Sequence, residues 1–313
     1  MIRLVARRLL LSIPLVFIVS VLTFILEAIV PGDPAREIAG ANATQAEYQQ
    51  IRHILGLNLP LWDQYGHWLA GAIRGNLGTS IFSGQQVVTE LNVMAPVTLS
   101  LMAGVFVVCS TLGVLLGVLG ARKEGASGRI IDAVSMLGLS LPAFWVAVVL
   151  IGIFAVNLKL FPATGFTPLT VSPAGWLRSL VLPVVALALG GVTGVAKQTR
   201  ESMREVLDRP FIRSLRAAGV SERSIIWKHA LKNAAPPALT VLGLVLVSAL
   251  AGSVFVESVF VLPGLGSAAV QATEQHDLPV IEGIALYFTL ITIVINLAVD
   301  VAYGWLNPKV RVA

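Results

Sequence analysis

Four histidines, one cysteine and 17 acidic side chains are the groups with most chemistry to offer, and their spacing assembles no familiar reaction centre. His53 and His67 stand 14 positions apart with no cysteine companion, and His229 and His276 lie far from both. A zinc site needs closer ligand pairs than that. Cys109 is single, so no disulfide can form within the chain, and its apolar surroundings make it a small apolar residue. Gly-x-Ser-x-Gly is absent. A phosphate-cradling loop needs Gly-Lys-Ser/Thr, and none of Lys123, Lys159, Lys197, Lys228, Lys232 and Lys309 follows a glycine. The expected catalytic, metal and cofactor residues are therefore none. Energy for any work must come from a partner or an ion gradient.

The composition says where such a chain must live. Of 313 residues, 56% are hydrophobic and 12% charged, against about 25% charged in soluble domains. A mean hydropathy of +0.84 requires much of the surface to face lipid. A helix crossing the hydrocarbon core needs about 20 residues, and seven long stretches lack Asp, Glu, Lys and Arg. They are Leu9–Leu26, Leu91–Ala121, Ala133–Leu158, Leu160–Leu177, Ser179–Ala196, Asn233–Val256 and Gly283–Val299. Leu160–Leu177 carries Pro162, Pro168 and Pro173 with Gly165 and Gly175, and reads as a loop. The expectation is an all-α membrane protein of six transmembrane helices. The first run is too long for a signal peptide and no small-residue cleavage site follows it.

Six spans put both termini on one side. That side holds 17 of the basic residues, from Arg3, Arg7 and Arg8 to Lys309 and Arg311, and the other side holds five. Basic residues accumulate on the cytoplasmic side, so both termini are expected there, and the net charge of +5 is a topology signal rather than a nucleic-acid footprint. The expected organisation is a tail and first helix over 1–30, an external lobe over 31–95, a transmembrane core over 96–306 and a tail over 307–313. In the lobe, Thr44–Leu55 has helical character, and Trp62, Tyr65 and Trp68 form an aromatic stripe. Glu27, Glu257 and Glu282 fall near outer helix ends and Asp300 near an inner one. No charge falls at a midplane, which disfavours a gradient-driven transporter.

The segment 198–234 between the fourth and fifth spans carries the strongest pattern. A charged helix is expected over Arg200–Asp208, ended by Arg209-Pro210. A short helix, Phe211–Ala218, follows with Phe211, Leu215 and Ala218 on one face. Gly219 closes it as a left-handed cap. Ser221 caps a second helix, with Glu222 at its positive end and Ile225, Ile226 and Ala230 on its apolar side. Pro236-Pro237 marks the start of the fifth span. This helix–Gly–helix hairpin has apolar residues that a mere connecting loop would not need.

Ala217-Ala218-Gly219-Val220-Ser221-Glu222-Arg223, with His229-Ala230-Leu231-Lys232-Asn233-Ala234 and Pro237, resembles the "EAA" coupling loop of ABC importer permeases. In form it is similar to the dipeptide/oligopeptide permease B family. Further matches run in order along the chain: Pro31-Gly32-Asp33-Pro34, Leu55-Gly56-Leu57-Asn58-Leu59-Pro60, Tyr65-Gly66-His67-Trp68, Gly75-Asn76-Leu77-Gly78-Thr79-Ser80, Leu139-Ser140-Leu141-Pro142-Ala143-Phe144-Trp145, Phe161-Pro162-Ala163-Thr164-Gly165 and Ser258-Val259-Phe260-Val261-Leu262-Pro263-Gly264-Leu265-Gly266. The chain departs from the pattern where Arg213, Ser214 and Leu215 replace Glu-Ala-Ala, as in peptide-type permeases, and where Asn58 and Asn76 replace Asp.

The resemblance implies a non-catalytic permease subunit in a prokaryotic inner membrane. A second permease subunit, two cytoplasmic ATPases that bind ATP and Mg, and an external substrate-binding protein would complete the importer. Arg213, Arg216, Ala217, Ala218, Gly219, Ser221, Glu222 and His229 would meet the ATPase. Ser140, Pro142, Gly191 and Gly194, with Glu257 and Glu282 at the mouth, are the expected path residues. Peptide is the expected cargo; nickel or another small solute, a gradient-driven transporter and a non-transporting scaffold are the alternatives.

Overall fold

The computed structural model describes residues 2–30, 32–40, 43–121 and 141–306. Among these the chain is helical, with one isolated bridge between Thr79 and Gln86. Five helical stretches are long and apolar enough to cross a membrane: Val5–Ile29, Val87–Ala121, Pro173–Leu207, Glu222–Phe260 and Leu278–Trp305. The remaining expected span, Ala133–Leu158, starts outside the described residues. Its described part is the apolar stretch Ala143–Asn157. The tail 307–313 also lies outside them.

In chain order the elements are α1 (Ile2–Ile29), α2 (Pro34–Ala39), α3 (Gln45–Ile54), α4 (Leu61–Ala72) and α5 (Val87–Val108). A π-helical turn, Cys109–Gly113, joins α5 to α6 (Val114–Ala121). Then come α7 (Ala143–Leu150) with the π turn Ile151–Asn157, α8 (Pro173–Leu207), α9 (Pro210–Ala217) and α10 (Glu222–Ser224). The π turn Ile225–Ala230 leads into α11 (Leu231–Phe260), followed by α12 (Leu265–Glu274) and α13 (Leu278–Leu306).

Contacts divide the chain into two units. The first comprises 1–8, 99–262 and 294–313. Its α8 packs on α6, α7 and α11, and glycines set the closeness. A Cβ on Gly117 would lie 2.5 Å from Thr199 Cβ and 2.7 Å from the Ala196 carbonyl oxygen. Close backbone approach of this kind is how helices associate in lipid, where burial from water offers little between spans.

The second unit comprises 9–98 and 263–293. Leu77, Val87, Leu91, Leu265, Ala272 and Ile284 form its core. Two short helices there have legible starts, and a turn before α5 is fixed locally. Asp33 caps α2 by accepting from Ala35 N–H, with Pro34 at the first helical position. Thr44 and Glu47 form a reciprocal capping box on α3. Asn76 Oδ1 accepts from Gly78 N–H at 2.9 Å in the turn before α5. That bond needs an acceptor oxygen and no charge, so asparagine serves where aspartate is usual.

Four sequence expectations change. The charged stretch Arg200–Asp208 continues α8 to Leu207 rather than forming its own helix. Pro236-Pro237 lies inside a helix that runs on to Phe260. The carbonyls these prolines free belong to exposed Lys232 and Asn233, where the loss is small. Pro142, expected within the third span, stands extended at ψ 136° just before α7 and starts that helix. Finally, Ile212 rather than Phe211 is buried on α9, at 0% against 37% exposure.

Candidate functional site

The hairpin between α8 and α11 is built from its core outward. Ile212, Ile225 and Ala230 are 0% exposed and Ile226 is 3% exposed. They pack with Val118, Ala121, Met203 and Val206. Burying an isoleucine contributes about 1.5–3 kcal/mol. Gly219 takes φ +78°, with nothing within 4 Å of where a Cβ would project. Ser221 caps the following turn by accepting from Ser224 N–H at 3.4 Å. Across Gly219, the Arg216 guanidinium donates to Glu222 at 2.6 and 3.4 Å. That carboxylate holds Arg216 above its already high ordinary pKa. Both partners are about half exposed, and such pairs are worth at most about 1 kcal/mol. Packing therefore fixes the hairpin, and the ion pair trims its loop.

The named residues divide by exposure. Arg213, Arg216, Ala217, Ala218, Gly219, Ser221 and Glu222 are exposed on one continuous stretch, and His229 is half-buried in the π turn. They offer a surface, not a reaction centre.

The path candidates divide differently. Ser140 lies outside the described residues. Gly191 and Gly194 both border a cavity of about 340 Å³, together with Val146, Gly190, Val245 and Gly252. Their roles in it differ. A Cβ on Gly191 would lie 2.4 Å from Val245 Cγ1 and 2.8 Å from Cys109 Sγ, whereas one on Gly194 meets nothing nearer than Val241 at 3.8 Å. The cavity walls carry no charge, so it suits packing or passage rather than chemistry. Glu257, in the first unit, is 0% exposed near the end of α11. Glu282, in the second, is 0% exposed near the start of α13, and neither carboxylate oxygen has a hydrogen-bond partner among the described residues.

Some polar contacts could not be foreseen from sequence. His276 sits at φ +53°, with Nδ1 3.3 Å from Glu27 Oε1. Its ring occupies the place a side chain on Gly32 would need, 2.1 Å from the ideal Cβ. Asp277 accepts from Ser80 Oγ at 2.5 Å. Leu265 N–H donates to Thr98 Oγ1 at 2.9 Å. The signal available was the Pro31-Gly32-Asp33-Pro34 motif, whose glycine is explained by a histidine 244 positions later.

The sequence matches the family model described as binding-protein-dependent transport system inner membrane component over residues 110–312. The N-terminal model of the same systems matches residues 1–102. The chain belongs to this family. A protein of Brucella abortus (strain 2308) is 39% identical over 309 residues, covering 98% of each chain. The di/tripeptide transport system permease protein DppB of Pseudomonas aeruginosa is 36% identical, covering 99% of each. The glutathione transport system permease protein GsiC of Escherichia coli is 38% identical over 312 residues, again covering 99% of each. Among solved structures, an inward-facing MetNI methionine ABC transporter superposes with a TM-score of 0.55 at 20% identity, covering 70% of this chain and 96% of that one. That likeness supports the fold of a multi-pass membrane component whose described residues are helical apart from one isolated bridge.

Proposed function

We propose that this chain is a translocation subunit of an ATP-driven importer of short peptides, and that the α9–α10 hairpin is where a cytoplasmic ATPase grips it. The observation that carries the reading is the pairing of an exposed polar crest, Arg213 to Glu222, with a fully buried apolar root. A partner pushing on the crest moves a hairpin rooted in helices α6 and α8, because packed interiors transmit displacement rather than absorb it. End-to-end similarity to permeases named for di/tripeptide and glutathione transport supports peptide as the cargo. In this reading both termini are cytoplasmic and the lobe over 31–95 is external. The complex also holds a second permease subunit, two ATPases that bind ATP and Mg, and an external binding protein. Gly191, Gly194 and their cavity form part of the path wall. The chain itself hydrolyses nothing.

Affinity purification in mild detergent tests the assembly: a second six-helix chain and P-loop ATPases should accompany this one. Recovery alone, under conditions that keep other membrane complexes whole, would sink the reading. Coupling is tested by Gly219→Val in proteoliposomes. Left-handed backbone costs a non-glycine residue about 1–2 kcal/mol, and β-branching adds to it. No neighbour obstructs the side chain, so the chain should fold while ATP hydrolysis continues and uptake drops. Wild-type uptake would refute the hinge.

A further inference from the structure

We propose that a cavity in the second unit binds small zwitterions, taking a carboxylate at Arg52 and an ammonium group at Glu27. The cavity holds about 270 Å³, just under the usual size for drug-like ligands and suited to a solute of two residues. Its polar wall is Glu27, Asp33, Arg52, Gln64 and His276, and Phe24 and Leu61 contribute apolar surface. Charges of both signs thus face one small space.

Among the described residues, neither end meets a fixed opposite charge. Arg52 donates only to neutral partners, the Tyr48 hydroxyl at 3.4 Å and the Leu57 carbonyl at 3.3 Å. It forms no ion pair among the described residues, although a guanidinium is suited to grip a carboxylate with two parallel bonds. Asp33 does not compete for it, being occupied by Ala35 N–H and the Tyr48 hydroxyl. At the other end, the Glu27 carboxylate has His276 as its side-chain hydrogen-bond partner. Behind it lies Glu282, fully buried and without a hydrogen-bond partner, close enough for the two carboxylates to repel. Two carboxylates near enough to repel, with the His276 imidazole beside Glu27, leave room for a further positive charge, and a buried carboxylate left without one is costly.

The site is also built. His276 is held in the left-handed region, and its ring is seated against Gly32. Strain of this kind persists where the surroundings over-determine it, and it gathers at ligand sites.

The inference deepens the peptide reading and rests on it for its meaning, since an unblocked short peptide is such a zwitterion. The test is equilibrium dialysis of radiolabelled glycyl-alanine against the intact complex in lipid nanodiscs, without binding protein or ATP. N-acetyl-glycyl-alanine and glycyl-alaninamide are run beside it. Wild type should bind the free dipeptide saturably, and blocking either end should weaken binding about tenfold or more, the worth of one charged hydrogen bond. Glu27→Gln should abolish the penalty for acetylation alone, and Arg52→Gln that for amidation alone. Glu282→Gln, which keeps side-chain volume, should reduce the acetylation penalty and serves if Glu27→Gln fails to fold. Arg52→Lys should restore part of the preference for a free carboxylate. Absence of saturable binding, indifference to both blocking groups, or variants that weaken all three ligands alike would overturn the proposal. Uptake of the dipeptide without such binding would sink the site and leave the importer reading intact; binding without any peptide uptake would do the reverse.

Discussion

Gly191 and Gly194 are three positions apart on α8 and border one cavity, yet they answer different needs. At Gly191 a methyl group would meet Val245 and Cys109 well inside contact distance, and at Gly194 it would find room. Gly191→Ala should therefore destabilise the protein by about 1–3 kcal/mol through overpacking. Gly194→Ala should stabilise α8 by about 0.5–1 kcal/mol. Thermal unfolding of the two purified variants reads the difference, and equal midpoints would show that the α8–α11 contact can relax. From sequence, both glycines read as close-packing or path residues. Nothing along the chain could separate them, because the deciding atoms belong to residues 54 and 82 positions away. Glu282 teaches the same lesson. Its position near an outer helix end reads as the mouth of the path, and only the assembled unit shows it fully enclosed.

At the level of helices, local signals were legible and continuity was not. The left-handed cap at Gly219, the Ser221 cap and the buried face Ile225, Ile226 and Ala230 all follow from residue type and a 3.6-residue period. The stripe of Trp62, Tyr65 and Trp68 is half right. Steps of three drift by 60° each, so Tyr65 and Trp68 stack at 6.0 Å while Trp62 points away, 75% exposed. Helix ends at Arg200 and Pro236 were misplaced because charge and proline read as breakers, whereas an exposed or well-packed helix tolerates both. The α3 capping box carries a pH prediction. Thr44 backbone N–H and hydroxyl bonds hold the exposed Glu47 carboxyl below its ordinary value of 4.5. A lowered folded-state value stabilises above the unfolded value and is lost as pH falls through the folded one. The melting difference between wild type and Glu47→Gln should thus be constant at neutral pH and vanish as pH drops below 4.5. A difference that persists at lower pH would mean the box works without the charge.

For the whole molecule, the sorting of basic residues becomes an address. The basic residues sort 17 to five across six expected spans, which predicts where each exposed position meets solvent. Cys109 is the chain's one cysteine and is buried, so Cys109→Ser gives a clean background for single introduced cysteines. In intact cells, an impermeant maleimide should label a cysteine placed at Trp62 and spare one placed at Lys228. The reverse pattern would invert the topology and move the hairpin away from any cytoplasmic partner. Five of the six expected spans are long apolar helices among the described residues, and they were countable because lipid demands long apolar runs. The division into two units was not, because it gathers 9–98 with 263–293, and hydropathy carries no record of which distant helices touch.

Arg8 binds Asp300 at 2.9 Å, joining the first helix to the last six residues from either described end. Each helix continues about 9 Å beyond that clasp at 1.5 Å per residue to the described ends, residues 2 and 306. The clasp ties residue 8 to residue 300. A short glycine-serine bridge should join the ends, and the exposed turn at Leu169 and Thr170 offers a place to cut new ones. A circular permutant made this way should keep the long apolar helices of the described residues whole and, in the proposed topology, carry both ends to the external face.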